Sequence, residues 1–169
     1  MVKPRQQAPA LDLALVSGGR WSLAEQSPEA FTLIVFYRGL HCPICSRQLA
    51  ELTRKLPEFE KRGIGVIAVS GDSRERAEKT VADWDIDGLT LGYGQSETSM
   101  REWGLFVSNA ISDKEPARFG EPGLFLVRPD GEIYFAQIAS MPFARPKLDE
   151  ILSAIDFVTA RDYPPRGEA

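Results

Sequence analysis

Short, nearly unbroken apolar runs alternate along this chain with stretches whose apolar residues recur every three to four positions. Phe31-Thr32-Leu33-Ile34-Val35-Phe36-Tyr37 and Gly65-Val66-Ile67-Ala68-Val69-Ser70 are of the first kind, as strands buried on both faces should be. Leu49, Leu52, Leu56 and Phe59 are of the second kind and predict a helix from Ser46 to Phe59, which Pro57 should kink or interrupt. Upstream, Leu11 to Val16 alternates, meets Ser17-Gly18-Gly19-Arg20 and returns through Trp21-Ser22-Leu23, a hairpin around a glycine turn. Ser73 reads as the N-cap of a helix carrying Ala77, Val81 and Trp84 on one face. Leu89 to Tyr93 predicts a further strand, and Ser96 opens a short helix with Met100 and Trp103 that Gly104 stops. Leu124 to Val127 and Ile133 to Ala136 flank Arg128-Pro129-Asp130-Gly131 as a second hairpin. Leu148, Ile151, Leu152, Ile155 and Val158 form the core face of a closing helix, with Asp149 and Glu150 in its favourable first turn. Strands alternating with helices, then a hairpin and a last helix, predict an α/β sandwich. With no repeat, low-complexity tract or long linker, residues 1–169 read as a single domain.

Composition removes several function classes. A net charge of −4 gives no general attraction to nucleic acid or anionic lipid. No apolar run approaches the roughly 20 residues that span a bilayer. The opening residues lead into no signal-peptide core, because Leu11 to Val16 is too short and is broken by Asp12. The expected location is the cytoplasm, where surplus thiols stay reduced.

Against that background the two cysteines, Cys42 and Cys45, carry the chemical signal. They form a C-x-x-C pair at the junction of the Phe31 strand and the following helix, where unpaired amide groups and the helix dipole favour a thiolate. A disulfide across so small a ring contributes roughly 2 kcal/mol, so a structural staple is poorly motivated. Structural zinc wants four Cys or His ligands, whereas the chain has two Cys and one His, so no metal and no cofactor is expected. Redox use is the reading, with inert buried thiols as its alternative. Pro43 suits the first helical turn, where its missing N–H does no harm. His41, as imidazolium, would lower a neighbouring thiol pKa; as a neutral ring it would only cover the loop. Arg38 either stabilises a thiolate or substrate, or is a solvated loop arginine. The mixed run Arg74 to Lys79 reads as a solvated helix face. Asp83, Asp85 and Asp87 lack the glycine and glutamate of a calcium loop, and Gly18-Gly19 lacks a phosphate-loop lysine pattern.

These residues together resemble the thioredoxin fold and, more narrowly, the alkyl hydroperoxide reductase/thiol-specific antioxidant (AhpC/TSA, peroxiredoxin-like) family. The similarity runs over roughly residues 8 to 166. It is carried by Ala8-Pro9-Ala10-Leu11-Asp12-Leu13, Phe36-Tyr37 before the cysteine loop, Val69-Ser70-Gly71-Asp72-Ser73 and Trp103-Gly104-Leu105. The tail, Pro142 to Pro146 and Asp162 to Gly167, is similar to a C-x-x-C subgroup. The resemblance implies a central mixed sheet with an N-terminal hairpin and helices on both faces. It also implies departures. The family's Pro-x-x-x-Thr-x-x-Cys falls on Arg38, Cys42 and Cys45, which puts Cys45 at the peroxidatic position and Cys42 at the threonine. The family's later, peroxide-binding arginine falls on Pro122. Pro122 is in turn similar to the cis-proline facing the C-x-x-C loop of thioredoxin-like oxidoreductases; a trans proline at a strand start is the alternative. Arg118 and Arg145 are substitutes for the missing arginine, with surface solvation the better expectation for both.

The function so implied is a thiol-dependent antioxidant oxidoreductase that reduces hydroperoxides or disulfides through Cys42 and Cys45. In a disulfide exchange Cys42, expected to be the more exposed, attacks and Cys45 resolves. In a peroxidase the order reverses, through a sulfenic acid on Cys45. A thioredoxin- or glutathione-type reductant would restore the dithiol, and a homodimer is compatible with the resemblance. The alternative from a different class is a non-enzymatic redox sensor or binding module switched by the same disulfide.

Overall fold

A computed structural model describes residues 2–169. The N-terminal hairpin forms as expected, with β1 (Asp12–Leu15) antiparallel to β2 (Arg20–Ser22), followed by a 3-10 turn at Leu23–Glu25. Then come β3 (Phe31–Phe36), α1 (Pro43–Glu60), β4 (Ile64–Val69), α2 (Arg74–Asp83) and β5 (Leu91–Tyr93). α3 (Glu97–Glu102) leads into a separate two-stranded sheet of β6 (Val107–Asn109) and β7 (Arg118–Gly120). β8 (Gly123–Val127), β9 (Ile133–Ile138) and α4 (Leu148–Arg161) complete the chain.

The main sheet has the order β2-β1-β5-β4-β3-β8-β9. β3, β4 and β5 run parallel, while β1, β8 and β9 pair antiparallel to their neighbours, so the sheet is mixed. The period of two in β3 explains its unbroken apolar run. Phe31, Leu33 and Val35 enter one core with Leu49, Leu52 and Phe59 of α1 and Leu148, Ile151, Leu152 and Ile155 of α4. Ile34 and Phe36 enter the opposite core with Leu13, Met100 of α3 and Trp103.

Ser73 and Ser96 cap α2 and α3 as their sequence positions predict, each accepting the N–H three residues on. Two expectations change. α1 begins at Pro43 rather than Ser46, and it continues past Pro57 to Glu60. Pro57 lies in the last turn, so its missing N–H deprives the helix of a single bond, to the Thr53 carbonyl, and the element ends before more is lost. The β6–β7 hairpin has no counterpart in the apolar pattern.

Candidate active site

The end of β3 delivers the chain to a loop, residues 37–42, that reverses onto the N-terminus of α1. Gly39 makes the reversal with a φ of 128°, which other residues rarely adopt. Asp72, at the head of α2, pins the loop: its Oδ2 accepts the Leu40 N–H at 2.8 Å and its Oδ1 accepts Arg76 Nε at 2.9 Å. A Cβ on Gly39 would sit 2.7 Å from Asp72 Oδ1, so the glycine also gives the carboxylate its room.

The loop sets Cys42 at the N-cap of α1 with Pro43 at the first helical position. Cys45 then occupies the third, and its N–H donates to Cys42 Sγ at 3.2 Å. The two sulfurs face one another as a disulfide pair with Cα atoms 5.2 Å apart. Both side chains are buried, Cys42 at 1% and Cys45 at 0% exposure. The expected greater exposure of Cys42 is therefore absent: the chain folds back over the loop and covers both.

The covering group is Arg145. Its Nη2 donates to Cys45 Sγ at 3.0 Å and lies 3.8 Å from Cys42 Sγ. Nη1 donates to Gln48 Oε1 of α1, and Nε to the Pro142 carbonyl at 2.9 Å. Ala144 just before it has a φ of 54°, a left-handed conformation costing about 1–2 kcal/mol for a residue with a Cβ. Burial, reinforced by Arg38, pushes the Arg145 pKa down to about 10, so it remains a cation at neutral pH. Surface solvation, the sequence expectation, is thus wrong for Arg145. It holds for Arg118, which is exposed and pairs with Glu97 at 3.0 Å.

Arg38 is neither solvated nor bonded to sulfur. It stacks on Phe119, 4.7 Å from the ring centroid, and lies 3.2 Å from Glu121 Oε2 and 3.7 Å from Glu115 Oε1. The Nε–Oε2 approach lies off the hydrogen-bonding direction, so charge holds this pair. Glu121, buried at 3% exposure, also accepts the Ser108 hydroxyl at 2.6 Å. His41 packs on the same Phe119 ring at 4.6 Å. Burial, then Arg38, lowers its pKa below the usual 6.5, and Arg76 Nη2 lies 3.4 Å from its Nδ1. A neutral ring accepting at Nδ1 meets that contact and leaves its buried Nε2 without a partner, an arrangement that fits His41 as a cover of the loop. Arg76, read as part of a solvated face, belongs instead to the Asp72 anchor.

Pro122 stands immediately before β8 with a trans peptide bond, since no cis bond occurs among the described residues. The thioredoxin-like cis-proline assignment is overturned. Pro122 does lie beside the site: with Phe36, Gln48, Arg145 and Pro146 it lines a shallow niche, and its carbonyl accepts the Ala139 N–H at 2.9 Å.

Residues 4–136 match the sequence profile of the AhpC/TSA family. The chain belongs to the AhpC/TSA family. A peroxiredoxin-named protein of Mycobacterium tuberculosis strain H37Rv is 27% identical over 136 residues, 79% of this chain and 83% of the relative. Among solved structures, reduced 2-Cys peroxiredoxin of Plasmodium vivax superposes with a TM-score of 0.78 at 18% identity, covering 96% of this chain and 84% of that one. Mycobacterium tuberculosis AhpC does so with a TM-score of 0.75 at 18% identity, covering 96% and 95%. The sheet described above is accordingly the thioredoxin-like fold. As an AhpC/TSA protein the chain is a thiol oxidoreductase enzyme of the peroxiredoxin type.

Sequence reading missed Asp72, Glu121 and the contact of Arg145. Asp72 had a signal, standing in Val69-Ser70-Gly71-Asp72-Ser73 between a strand end and an N-cap. Glu121 precedes Pro122 at the start of a buried strand, a place where a charged side chain needs a partner.

Proposed function

We propose that the chain reduces hydroperoxides, with Cys45 as the attacking thiolate and Cys42 as the resolving thiol. The observation that carries this reading is Arg145 Nη2, 0.8 Å nearer to Cys45 than to Cys42 (3.8 Å less 3.0 Å). A cation in hydrogen-bonding contact favours the anionic sulfur. Cys45 also has the helix N-terminus behind it and stands at the peroxidatic position of the family motif.

In the first step the Cys45 thiolate attacks one peroxide oxygen, the O–O bond breaks, and the second oxygen leaves as alcohol or water after taking a proton. Cys45 becomes a sulfenic acid. In the second, the Cys42 sulfur attacks Cys45 Sγ, water leaves, and the disulfide forms. A dithiol or glutathione-type reductant then returns two electrons and two protons. Arg145 is suited to hold the thiolate and the peroxide oxygens together, the task that falls to an arginine at the Pro122 position in relatives. Disulfide exchange led by Cys42 has less support, because Cys42 is as buried as Cys45.

Stopped-flow mixing of the reduced protein with hydrogen peroxide, an organic hydroperoxide and a small model disulfide tests the proposal. The expected result is a hydroperoxide reaction far faster than that of the model disulfide and of a free thiol. Background rates with both peroxides would contradict it.

A further inference from the structure

A cleft of about 220 Å³ lies between α4, the sheet and the C-terminal tail, and it shares no lining residue with the niche beside the sulfurs. Leu126 of β8 and Tyr134 of β9, both buried, form its floor. α4 forms one wall with Ile151, Ala154, Ile155 and Val158, spaced three and four apart so that they share a helix face. Three of these four side chains are large and branched. Ala154 is the small exception; it is exposed and marks the mouth of the cleft.

The tail closes the other side. Tyr134 Oη donates to the Tyr163 carbonyl at 2.7 Å, and the Tyr163 N–H donates to the Val158 carbonyl at 3.1 Å. Pro164 and Pro165 follow, and Pro165 is buried. Neither has an N–H, so this part of the tail covers apolar surface without burying an unpaired donor. Of the residues lining the cleft only Arg166 is charged. Its Nη1 donates to Tyr163 Oη at 3.3 Å, and it pairs with no carboxylate among the described residues, since Glu168 lies beside Arg5 at 3.9 Å. With both tyrosine hydroxyls engaged, the guanidinium is the one group of the lining with donors to spare.

We propose that this cleft binds a small amphipathic carboxylate, with its hydrocarbon part between α4 and the tail and its carboxylate on Arg166. Volume sets the size of the hydrocarbon part. An apolar cavity of about 150 Å³ accepts benzene, so this one suits a chain or ring of about eight carbons. Charge sets the head group, because an unpaired guanidinium at the edge of apolar walls favours an anion and binds a carboxylate through two parallel hydrogen bonds. The ligand displaces water from apolar side chains of α4 and the sheet, which supplies most of its affinity, and the cation selects the acid over its neutral counterparts. The cysteines take no part, so the inference is independent of the proposed peroxide reaction.

Amide NMR of the full chain in its disulfide form, titrated with octanoate and with octanol at neutral pH, tests this. Octanoate should shift the amides of residues 151–158, Tyr163 and Arg166 saturably in the millimolar range and leave those of the cysteine loop, 37–42, in place. Octanol should move the same amides and bind about threefold to fivefold more weakly, the margin an exposed charge pair supplies. Arg166→Gln should remove that margin. Ala154→Leu should abolish the shifts from both compounds by filling the mouth; Ala154 is exposed and leucine is nearly as good a helix former, so the variant keeps its fold. No saturable shift with octanoate, saturation centred on other residues, equal affinity for acid and alcohol, a margin that survives Arg166→Gln, or undiminished binding in Ala154→Leu would each overturn the proposal.

Discussion

A guanidinium stands 3.0 Å from Cys45 Sγ, within hydrogen-bonding contact of the sulfur. Replacing it by Arg145→Ala should raise the pH at which Cys45 ionises by about one unit or more, as removal of a close opposite charge does. Thiolate absorbance of the reduced protein against pH reads that shift directly, and an unchanged titration would remove Arg145 from the account. His41 offers a second titration. Its folded-state pKa lies below 6.5, so the unfolded chain binds the proton first as pH falls. Its contribution to stability is therefore complete above pH 6.5 and is lost between 6.5 and the lower folded value. Urea unfolding of the disulfide form at about pH 7.5 and about pH 5 should show a smaller acid loss in His41→Gln than in the wild type. Equal losses would mean that the ring is not held neutral. The cysteines were legible from two residues at a strand-to-helix junction, but Arg145 was legible only as one of two substitute arginines, and its contact with the sulfurs was not. Arg145 lies 100 positions from Cys45 and reaches it only through the path of an irregular segment, which no periodicity encodes.

At the scale of elements, the cysteine loop depends on α2. Asp72 supplies the acceptor for Leu40 N–H and the counter-charge for Arg76, and it is buried. Asp72→Ala leaves the part-buried Leu40 amide without its acceptor and Arg76 without its counter-charge, so urea unfolding should show a loss of about 1–3 kcal/mol. A loss within about 0.5 kcal/mol, ordinary for a surface substitution, would show that the anchor is dispensable. Helix α2 itself was legible, because Ser73 and the apolar face of Ala77, Val81 and Trp84 are local signals. The β6–β7 hairpin was not, since two three-residue strands in a polar stretch carry no period long enough to read. Pro57 misled for the opposite reason: its rule applies to helix interiors, and its distance from the helix end at Glu60 could not be read from spacing alone.

For the molecule as a whole, the central sheet separates the chemistry from half of the stabilising core. The cysteines belong to the core under α1 and α4, while Trp103, fully buried, packs on Phe36 and Phe125 across the sheet at 5.2 and 4.9 Å. Trp103→Ala should therefore cost about 3–5 kcal/mol in urea unfolding and leave the Cys45 titration where it was. A matching shift in both would show that the faces are coupled. The layered α/β arrangement was legible because strands alternate with amphipathic helices, whereas the mixed sheet with its N-terminal hairpin followed only from the family resemblance.

Sulfenic acid is the one intermediate whose position distinguishes the two sulfurs. Mass spectrometry of Cys42→Ser and Cys45→Ser after one equivalent of hydroperoxide locates it. The account expects Cys42→Ser to accumulate sulfenic acid on Cys45 and Cys45→Ser to accumulate none. Sulfenic acid on Cys42 in the second variant, with none in the first, would contradict it.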